Sequence, residues 1–482
     1  YLKMASRSYI ACVLCQRAVQ LKMTYRGMST AAHQQPQVDF LKGALHRKHP
    51  GVTNLNTLRL PEELQVAALS VIHRAQIMRL QERTQSLTNF LWSRKRAIED
   101  VTLKQKAISL EKELWEKEMA KRGDIDEQAV EDRIRKKVLS ELRRTTYHWT
   151  PLKYDEDLGV VYMAARLAGA YAAVRRALNE IKKRDSCFTP HSLLDFGSGL
   201  GTVVWASHSC WGDSLKEMVC VDSSGPMNTL AERLLKGDDE RGEPHIKHVY
   251  FRQFLPVSPK VQFDVVVAAF TLSELPNVKD REDAVFTLWR KTSSYLVLVE
   301  NGTKEGHQML MEARDTLLNR RLSLTPDQRR CACFKPSHSV FWPCLFLTVF
   351  FLQCPHELMC PKLAHAPIVP CNFQQMYHPL PLPGHNEQLM EKFSYLILTR
   401  ADQAKVETQR DVEWARLIAP VQPRSRHVHC RMCCPDGQLQ HLVVTARKHG
   451  RDVYRCARNS NWGDQVPVIQ KAEEDILSDS ER

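Results

Sequence analysis

The 482-residue chain contains no apolar run long enough to cross a lipid bilayer. Its most apolar stretch, residues 340–352, is shorter than the roughly 20 residues that a membrane helix needs, and Pro343 interrupts it. The uninterrupted apolar core of a secretory signal is also missing from the N-terminal residues. The sequence therefore predicts a protein that is neither inserted into a membrane nor secreted.

Acidic residues are absent before Asp39, whereas five basic residues lie there among serine, alanine and threonine. This composition is typical of a mitochondrial transit peptide. It predicts a targeting segment over residues 1–38 and a location in the mitochondrial matrix. The alternative is a disordered basic tail with no targeting role.

Cysteine is plentiful, but the missing secretory signal argues against a disulfide-stabilised extracellular protein. Ten of the fifteen cysteines follow residue 330. Such clustering in a long chain without a signal indicates metal chemistry in a reducing compartment.

Acidic residues are fewer than basic residues. The chain has 55 Asp and Glu residues and 68 Lys and Arg residues, which gives a net charge of +13. An excess of positive charge favours a polyanionic partner, most simply nucleic acid, since neutralised phosphates release their bound counterions. The alternative is a basic organellar protein that does not touch nucleic acid.

Composition and hydrophobic periodicity divide the chain after the targeting segment into five parts. Apolar residues three or four apart predict helices over 39–185. Short apolar runs that alternate with helical segments predict a Rossmann-like α/β domain over 186–330, with a parallel sheet covered on both faces. A Cys-rich insertion (331–385), the last strands with a basic part (386–466) and a disordered acidic tail (467–482) follow. The runs predicted as strands are 193–196, 218–221, 263–268, 295–299 and 393–398.

The most informative motif is LLDFGSGLGT at residues 193–202. An apolar strand leads directly into three alternating glycines, Gly197, Gly199 and Gly201, and then into a helix, although the chain has only 19 glycines. Glycine lets the backbone turn sharply and approach a nucleotide at the start of a helix. The motif predicts a cofactor loop.

Two acidic residues indicate which cofactor this loop binds. Asp222 ends the second strand, where a carboxylate accepts hydrogen bonds from both ribose hydroxyls of a nucleoside. Asp195 precedes the loop, where it suits the amino group of a methionine moiety. The two acids favour S-adenosylmethionine over NAD, and Ser198 completes the predicted cofactor-binding set. A Rossmann-like domain that keeps the loop but binds nothing is the alternative.

A catalytic motif is missing after the predicted strand 263–268. Enzymes of this fold that methylate amino groups place Asn or Asp there, followed by two prolines and an aromatic residue. Methylation of cytosine C5 in RNA needs a nucleophilic cysteine at the same place. This chain has AFTLSELP at residues 269–276 instead. We therefore predict no catalytic residue, and an active ribosomal RNA methyltransferase is the alternative.

Three cysteines, Cys354, Cys360 and Cys371, are followed by a second group within CRMCC at residues 430–434. A zinc ribbon needs two CxxC knuckles, and the second group supplies only one. An iron–sulfur cluster needs four thiolates, accepts irregular spacing and often has a proline after a ligand. The spacing favours such a cluster on the first three cysteines and one of the second group. Zinc and unligated core cysteines are the alternatives, and the CxxxCxxC signature of radical S-adenosylmethionine enzymes is absent.

Basic residues alternate with aromatic residues near the C terminus. This pattern can clamp phosphates and stack on bases, whereas a solvated basic hairpin is the alternative. The predicted RNA-binding residues are Arg447, Lys448, Arg451, Arg455 and Arg458.

Taken together, these motifs resemble one family, the mitochondrial methyltransferase-like proteins that associate with the small ribosomal subunit. The resemblance extends from about residue 41 to residue 462. Its specific marks are the cofactor loop, YMAARL at 162–167, CPHE at 354–357 and WGD at 462–464. The resemblance implies an assembly factor of the mitochondrial small subunit that binds the subunit's RNA and proteins. It also implies a methyltransferase fold without catalysis.

The resemblance further implies a 4Fe–4S cluster on Cys354, Cys360, Cys371 and Cys433, beside S-adenosylmethionine as second cofactor. Cys430 and Cys434 remain alternatives for the fourth ligand. We expect the free protein to be a monomer.

Residues 331–353 depart from the family pattern. The Phe-rich run that ends at Gln353 resembles a translated splice acceptor. We therefore expect an isoform or gene-model artefact there, and we expect Cys331, Cys333 and Cys344 not to be ligands.

Overall fold

A computed structural model describes most of the chain from Phe40 onward. The described residues are 40–41, 43–120, 127–147, 149–237, 239, 241–258, 260–322, 350–351, 354–364, 367–384, 387–400 and 414–467. Three predictions therefore concern segments that lie outside the described residues, except for residues 350–351 and 467. They are the transit peptide over 1–38, the acidic tail from residue 467 and the departure from the family pattern at 331–353.

The described N-terminal residues form helices, as the periodicity predicts. Leu64, Ala67 and Val71 of the first helix are buried because they recur three and four residues apart on one face. No helix in the described ranges is long and apolar enough to cross a membrane. The bounds of these helices are α1 Glu62–Ala75, α2 Leu80–Ser93, α3 Asp100–Met119, α4 Glu127–Thr145 and α5 Glu156–Arg184.

A mixed sheet with helices on both faces follows α5. Its strands are β1 Ser192–Phe196, β2 Glu217–Val221, β3 Val249–Arg252, β4 Phe263–Ala269, β5 Thr292–Asn301, β6 Phe350–Phe351, β7 Phe373–Tyr377 and β8 Leu389–Thr399. The helices between them are α6 Thr202–Trp211, α7 Gly225–Leu235, α8 Val278–Lys291 and α9 Lys304–Leu322. The strand order is β3-β2-β1-β4-β5-β8, and both β6 and β7 pair with β8. This doubly wound order confirms the predicted α/β class.

Alternation along the strands explains why both faces of this sheet are covered. Val265 and Val267 of β4 pack into the core beneath α5, α6 and α7. Val266 and Ala268, which point the other way, pack into the core beneath α8 and α9. The glycine loop therefore lies at the carboxyl edge of a sheet that is fixed from both sides.

The direction of the last strand corrects the expectation of a parallel sheet. Strands β1 to β5 are parallel, but β8 is antiparallel to β5, with Val297 opposite Ile397. Residues 378–388 join β7 to β8 and are too few for the crossover that parallel neighbours need. The run at 393–398 is apolar throughout because both faces of the strand are buried. Such a run would look the same in a parallel and in an antiparallel strand, so it does not indicate strand direction.

A second, antiparallel sheet ends the described chain. Its strands are β9 Trp414–Leu417, β10 Gln422–Pro423, β11 His427–Cys433, β12 Leu439–Thr445 and β13 Gln465–Pro467, and its helices are α10 Ala446–His449 and α11 Arg451–Asn459. Val453, Cys456 and Ala457 of α11 pack on the buried face of this sheet. A buried ion pair joins the sheet to α5, because Arg416 Nη2 lies 2.7 Å from Glu180 Oε1.

Candidate functional site

The glycine loop connects β1 to α6 in a conformation that side chains oppose. Gly197, Gly199 and Gly201 have φ angles of 70°, 49° and 68°, all in the left-handed region. A Cβ atom on Gly197 would lie 2.4 Å from the side chain of Thr271. The loop therefore needs glycine, and it delivers the chain directly to the N terminus of α6 at Thr202.

Asp195, the acid before the loop, is fully buried. Neither of its carboxylate oxygens has a hydrogen-bond partner among the described residues. Burial, and then the nearby charge of Asp222, raises the pKa of Asp195 well above its usual range. A buried carboxyl group without a partner is costly, and a cationic ligand group would lower that cost. This chemistry fits the amino group of a methionine moiety.

Asp222, the residue predicted to bind ribose, holds the glycine loop in place. Its Oδ2 accepts a hydrogen bond from Gly199 N at 2.8 Å, and its Oδ1 accepts one from Ser224 N at 2.8 Å. Burial raises the pKa of Asp222 in spite of these two bonds. Each carboxylate oxygen keeps a second lone pair for a ribose hydroxyl. The loop-holding role was not predicted from the sequence.

The loop after β4 contains residues that the sequence did not single out. Phe270 has a left-handed φ of 60°, and the guanidinium of Arg166 lies 4.9 Å from the centre of its ring. Ser273 N donates to Glu300 Oε1 at 3.2 Å, and burial raises the pKa of Glu300 to about 7. An acid at the end of an apolar strand was the available signal for Glu300. The aromatic ring of Phe270, after β4, is thus packed against a guanidinium from α5.

Four of the predicted ligand cysteines line one cavity that is partly open to solvent. They are Cys354, Cys360, Cys371 and Cys433. Cys430 and Cys434 instead pack in the core of the second sheet. Alternation along β11 explains the difference. Cys430 lies on the buried face of the strand with Val428 and Met432, whereas Cys433 lies on the opposite face.

Two buried arginines, each paired with a carboxylate, act on the thiols of this cavity. Arg416 lines it, and both Arg416 and Arg314 are 1% exposed. Burial raises the pKa of Cys354 to about 12, although the two arginines act in the opposite direction. Burial also raises the pKa of Cys433. The thiols are therefore protonated at neutral pH unless a metal group takes the protons' place.

The cavity does not hold a preformed metal site. Within the ranges that the structure describes, no group of three or more His, Cys, Asp or Glu side chains is arranged so that it could hold a metal ion. The four thiols share a cavity without surrounding a single close point.

The five predicted RNA-binding residues are all exposed, on α10 and α11. Arg451, Arg455 and Arg458 lie four and three residues apart, which places them on one face of α11. Arg458 Nη1 donates to Tyr454 Oη at 3.1 Å, so that ring is held beside the basic face. The exposed face is therefore basic, with one aromatic ring at its side.

Comparison with known proteins decides the family. A family model described as mitochondrial small ribosomal subunit Rsm22 matches residues 157–346 and 349–467. The chain belongs to the Rsm22 family. A human protein named ribosome assembly protein METTL17, mitochondrial, is 48% identical over 430 residues, which cover 89% of this chain and 87% of the human protein. The family expected from the sequence is confirmed.

Two more distant similarities accompany this match. The Rsm22-cox11 tandem protein 2, mitochondrial, of Schizosaccharomyces pombe is 23% identical over 350 residues, 65% of this chain and 44% of the yeast protein. A magnesium protoporphyrin IX methyltransferase from Synechocystis, solved with bound S-adenosylhomocysteine, is 12% identical. That similarity covers 57% of this chain and all of the other, with a TM-score of 0.29.

The Rsm22-family match includes all the candidate sites. The glycine loop falls within 157–346, and the cavity cysteines and the basic residues of α10 and α11 fall within 349–467. In this Rsm22-family chain the first sheet supplies the loop, and the cysteine cavity lies between the two sheets.

Proposed function

We propose that this protein acts in mitochondria as an assembly factor of the small ribosomal subunit and binds the subunit's RNA. The observation that carries the proposal is the 48% identity, over 89% of the chain, to a human mitochondrial ribosome assembly protein. The exposed basic face of α10 and α11 supports an RNA partner. A matrix location follows from the same proposal.

Neutralising part of the basic face tests RNA binding. We expect the triple change of Arg447, Lys448 and Arg451 to glutamine to weaken binding to a transcript of the mitochondrial small-subunit RNA. The slope of log affinity against log salt should flatten by about 2 to 3, because each phosphate contact contributes roughly 0.7 to 0.9. A fluorescence titration at several salt concentrations measures this slope.

The matched control is the same triple change of Arg133, Lys136 and Lys137, which are exposed on α4. This control removes equal charge from another surface. Equal slopes for the two triple variants would mean that net charge, and not this face, drives binding.

We propose that the Rossmann-like domain binds S-adenosylmethionine while methyl transfer is dispensable. The partnerless carboxylate of Asp195, the glycine loop and Asp222 support cofactor binding. The residues after β4 support the second part, since they match no methylation motif. Bound cofactor would offer its amino group to Asp195 and its ribose hydroxyls to Asp222, and would supply a methyl donor if the alternative of an active enzyme holds.

Calorimetry with S-adenosylmethionine tests this site. We expect Gly199→Arg to abolish binding, because position 199 has a φ of 49° and an arginine side chain there fills the cofactor loop. Asp222→Asn should weaken binding about 10- to 100-fold, the usual effect of losing hydrogen bonds to a charged group. Asp213→Asn, at a fully exposed carboxylate, is the control. Equal affinity in all variants would contradict the assignment.

We further propose that the four cavity cysteines hold a 4Fe–4S cluster. The donor set supports it, because four thiolates are the usual ligands of such a cluster. When bound, the cluster supplies a covalent cross-link between the segment 354–371 and β11. Zinc on the same thiols is the alternative.

A further inference from the structure

Two buried histidines contact sulfur atoms of the proposed cluster ligands. His356 Nε2 lies 3.2 Å from Cys433 Sγ, and His307 Nε2 lies 3.7 Å from Cys360 Sγ. Both histidines line the cysteine cavity, and they are only 7% and 2% exposed. They approach it from different elements, because His307 is on α9 and His356 is in the loop between Cys354 and Cys360.

The protein backbone around His356 is held in place. Arg314 Nη2, also on α9, donates to Leu358 O at 2.6 Å and to His356 O at 3.4 Å. Arg314 itself is buried, with 1% of its surface exposed. The imidazole of His356 is thus positioned by its surroundings and not only by its own side-chain preference.

The state of the sulfur decides which atom donates in these contacts. A thiol can donate its proton to an imidazole nitrogen, but an iron-bound thiolate has no proton to give. An imidazole carries at least one N–H in every protonation state that occurs at neutral pH. In the cluster-bound protein a hydrogen bond to the sulfur of Cys433 or Cys360 can therefore run only from histidine to sulfur, and it requires the proton to be on Nε2.

We propose that His307 and His356 are positioning residues that donate N–H hydrogen bonds to the sulfur atoms of Cys360 and Cys433 and raise the reduction potential of the bound cluster. The proposal rests on the proposed cluster. The reduced cluster carries one more negative charge than the oxidised cluster, so a hydrogen bond to its sulfur stabilises the reduced form more.

The first test is a redox titration of the full-length protein, purified without oxygen. His356→Phe keeps a planar ring but removes the donor. At a fixed ambient potential we expect its ratio of reduced to oxidised cluster to fall about tenfold, which corresponds to about 59 mV for one electron. His356→Gln, whose amide N–H₂ reaches the position of Nε2, should recover most of the ratio. His378→Phe, at a histidine bonded to Glu387 O, is the control.

A structural role for His356 predicts a different pattern. It predicts that His356→Phe and His356→Gln lose iron to the same extent, or that both keep the iron and the reduction potential of the cluster is unchanged. An unchanged potential in His356→Phe and in His307→Phe, each with the wild-type iron content, would overturn the proposal.

A second measurement needs no variant. Pulsed electron paramagnetic resonance of the reduced wild-type protein labelled with ¹⁵N-histidine should show weak coupling from nitrogens that are hydrogen-bonded to the cluster. The absence of any nitrogen coupling would overturn the proposal. Coupling as strong as that of a nitrogen bound directly to iron would also overturn it. This outcome differs from failure of the cluster proposal. If the protein binds no cluster, the wild type contains no iron before any histidine is changed.

Discussion

Glu180→Gln is expected to lower the free energy of unfolding by about 3–5 kcal/mol, because it leaves buried arginines without their anion. Glu180 is fully buried, and its Oε1 lies 2.7 Å from Arg416 Nη2 and 3.0 Å from Arg184 Nη2. Its Oε2 accepts from Tyr395 Oη at 3.0 Å and lies 3.4 Å from Arg176 Nη1. One carboxylate thus ties α5 to β8 and β9. Chemical denaturation of both proteins measures the difference.

The control is Glu232→Gln, because Glu232 pairs with Lys236 on the surface of α7 at 3.0 Å. That change should cost less than about 1 kcal/mol. A cost at Glu180 as small as the cost at Glu232 would show that the buried ion-pair group does not hold the two sheets together.

The pH dependence of the Glu180 effect has a definite sign. Burial alone would raise the pKa of Glu180, but the charges of Arg416 and Arg184 hold it well below the usual value. A carboxylate with a depressed pKa in the folded state contributes stability that is complete above the unfolded pKa of about 4.3. That contribution falls as the pH drops below this value toward the folded pKa. We expect the gap between wild type and Glu180→Gln to be constant at neutral pH and to narrow only in acid.

Cys433→Ser is expected to remove the cluster and with it much of the stability of the second sheet. Free energy of cluster binding is folding free energy when the ligands come from separate segments, as Cys433 and the segment 354–371 do. Protein purified without oxygen should be brown and contain about four irons per chain. The variant should be pale and should unfold at a lower temperature.

Two controls make the cluster prediction specific to the cavity. Cys434→Ala removes a neighbouring thiol that packs in the core of the second sheet, and Cys187→Ser changes an exposed thiol. Both should keep the wild-type iron content. Colourless wild-type protein with one zinc per chain would instead establish the zinc alternative.

The glycine loop was predictable from the sequence because its requirements are local. The positive φ angles at Gly197, Gly199 and Gly201 demand glycine, and the strand before the loop and the helix after it are each continuous in sequence. By contrast, the choice among Cys430, Cys433 and Cys434 was not predictable from spacing. It depends on which face of β11 is buried, and only the packing of α11 and β9 determines that face.

Long-range contacts account for what the sequence left out. Glu180 and Arg416 are 236 residues apart, and no local pattern indicates that they pair. The same holds for His307 and Cys360, whose side chains are in contact although they are 53 residues apart in the sequence. The antiparallel direction of β8 could not be predicted from the sequence either, because it depends on the hairpin with β7 and not on the composition of β8.

The claim that RNA-bound scaffolding is the essential activity is tested most directly by complementation. Cells that lack the protein would receive either the wild type or Gly199→Arg, at equal protein levels, and small-subunit assembly and mitochondrial translation would be measured. We predict that Gly199→Arg restores both, although it does not bind S-adenosylmethionine. Failure to restore them, together with loss of a specific methyl group from the small-subunit RNA, would contradict the claim and favour an active methyltransferase.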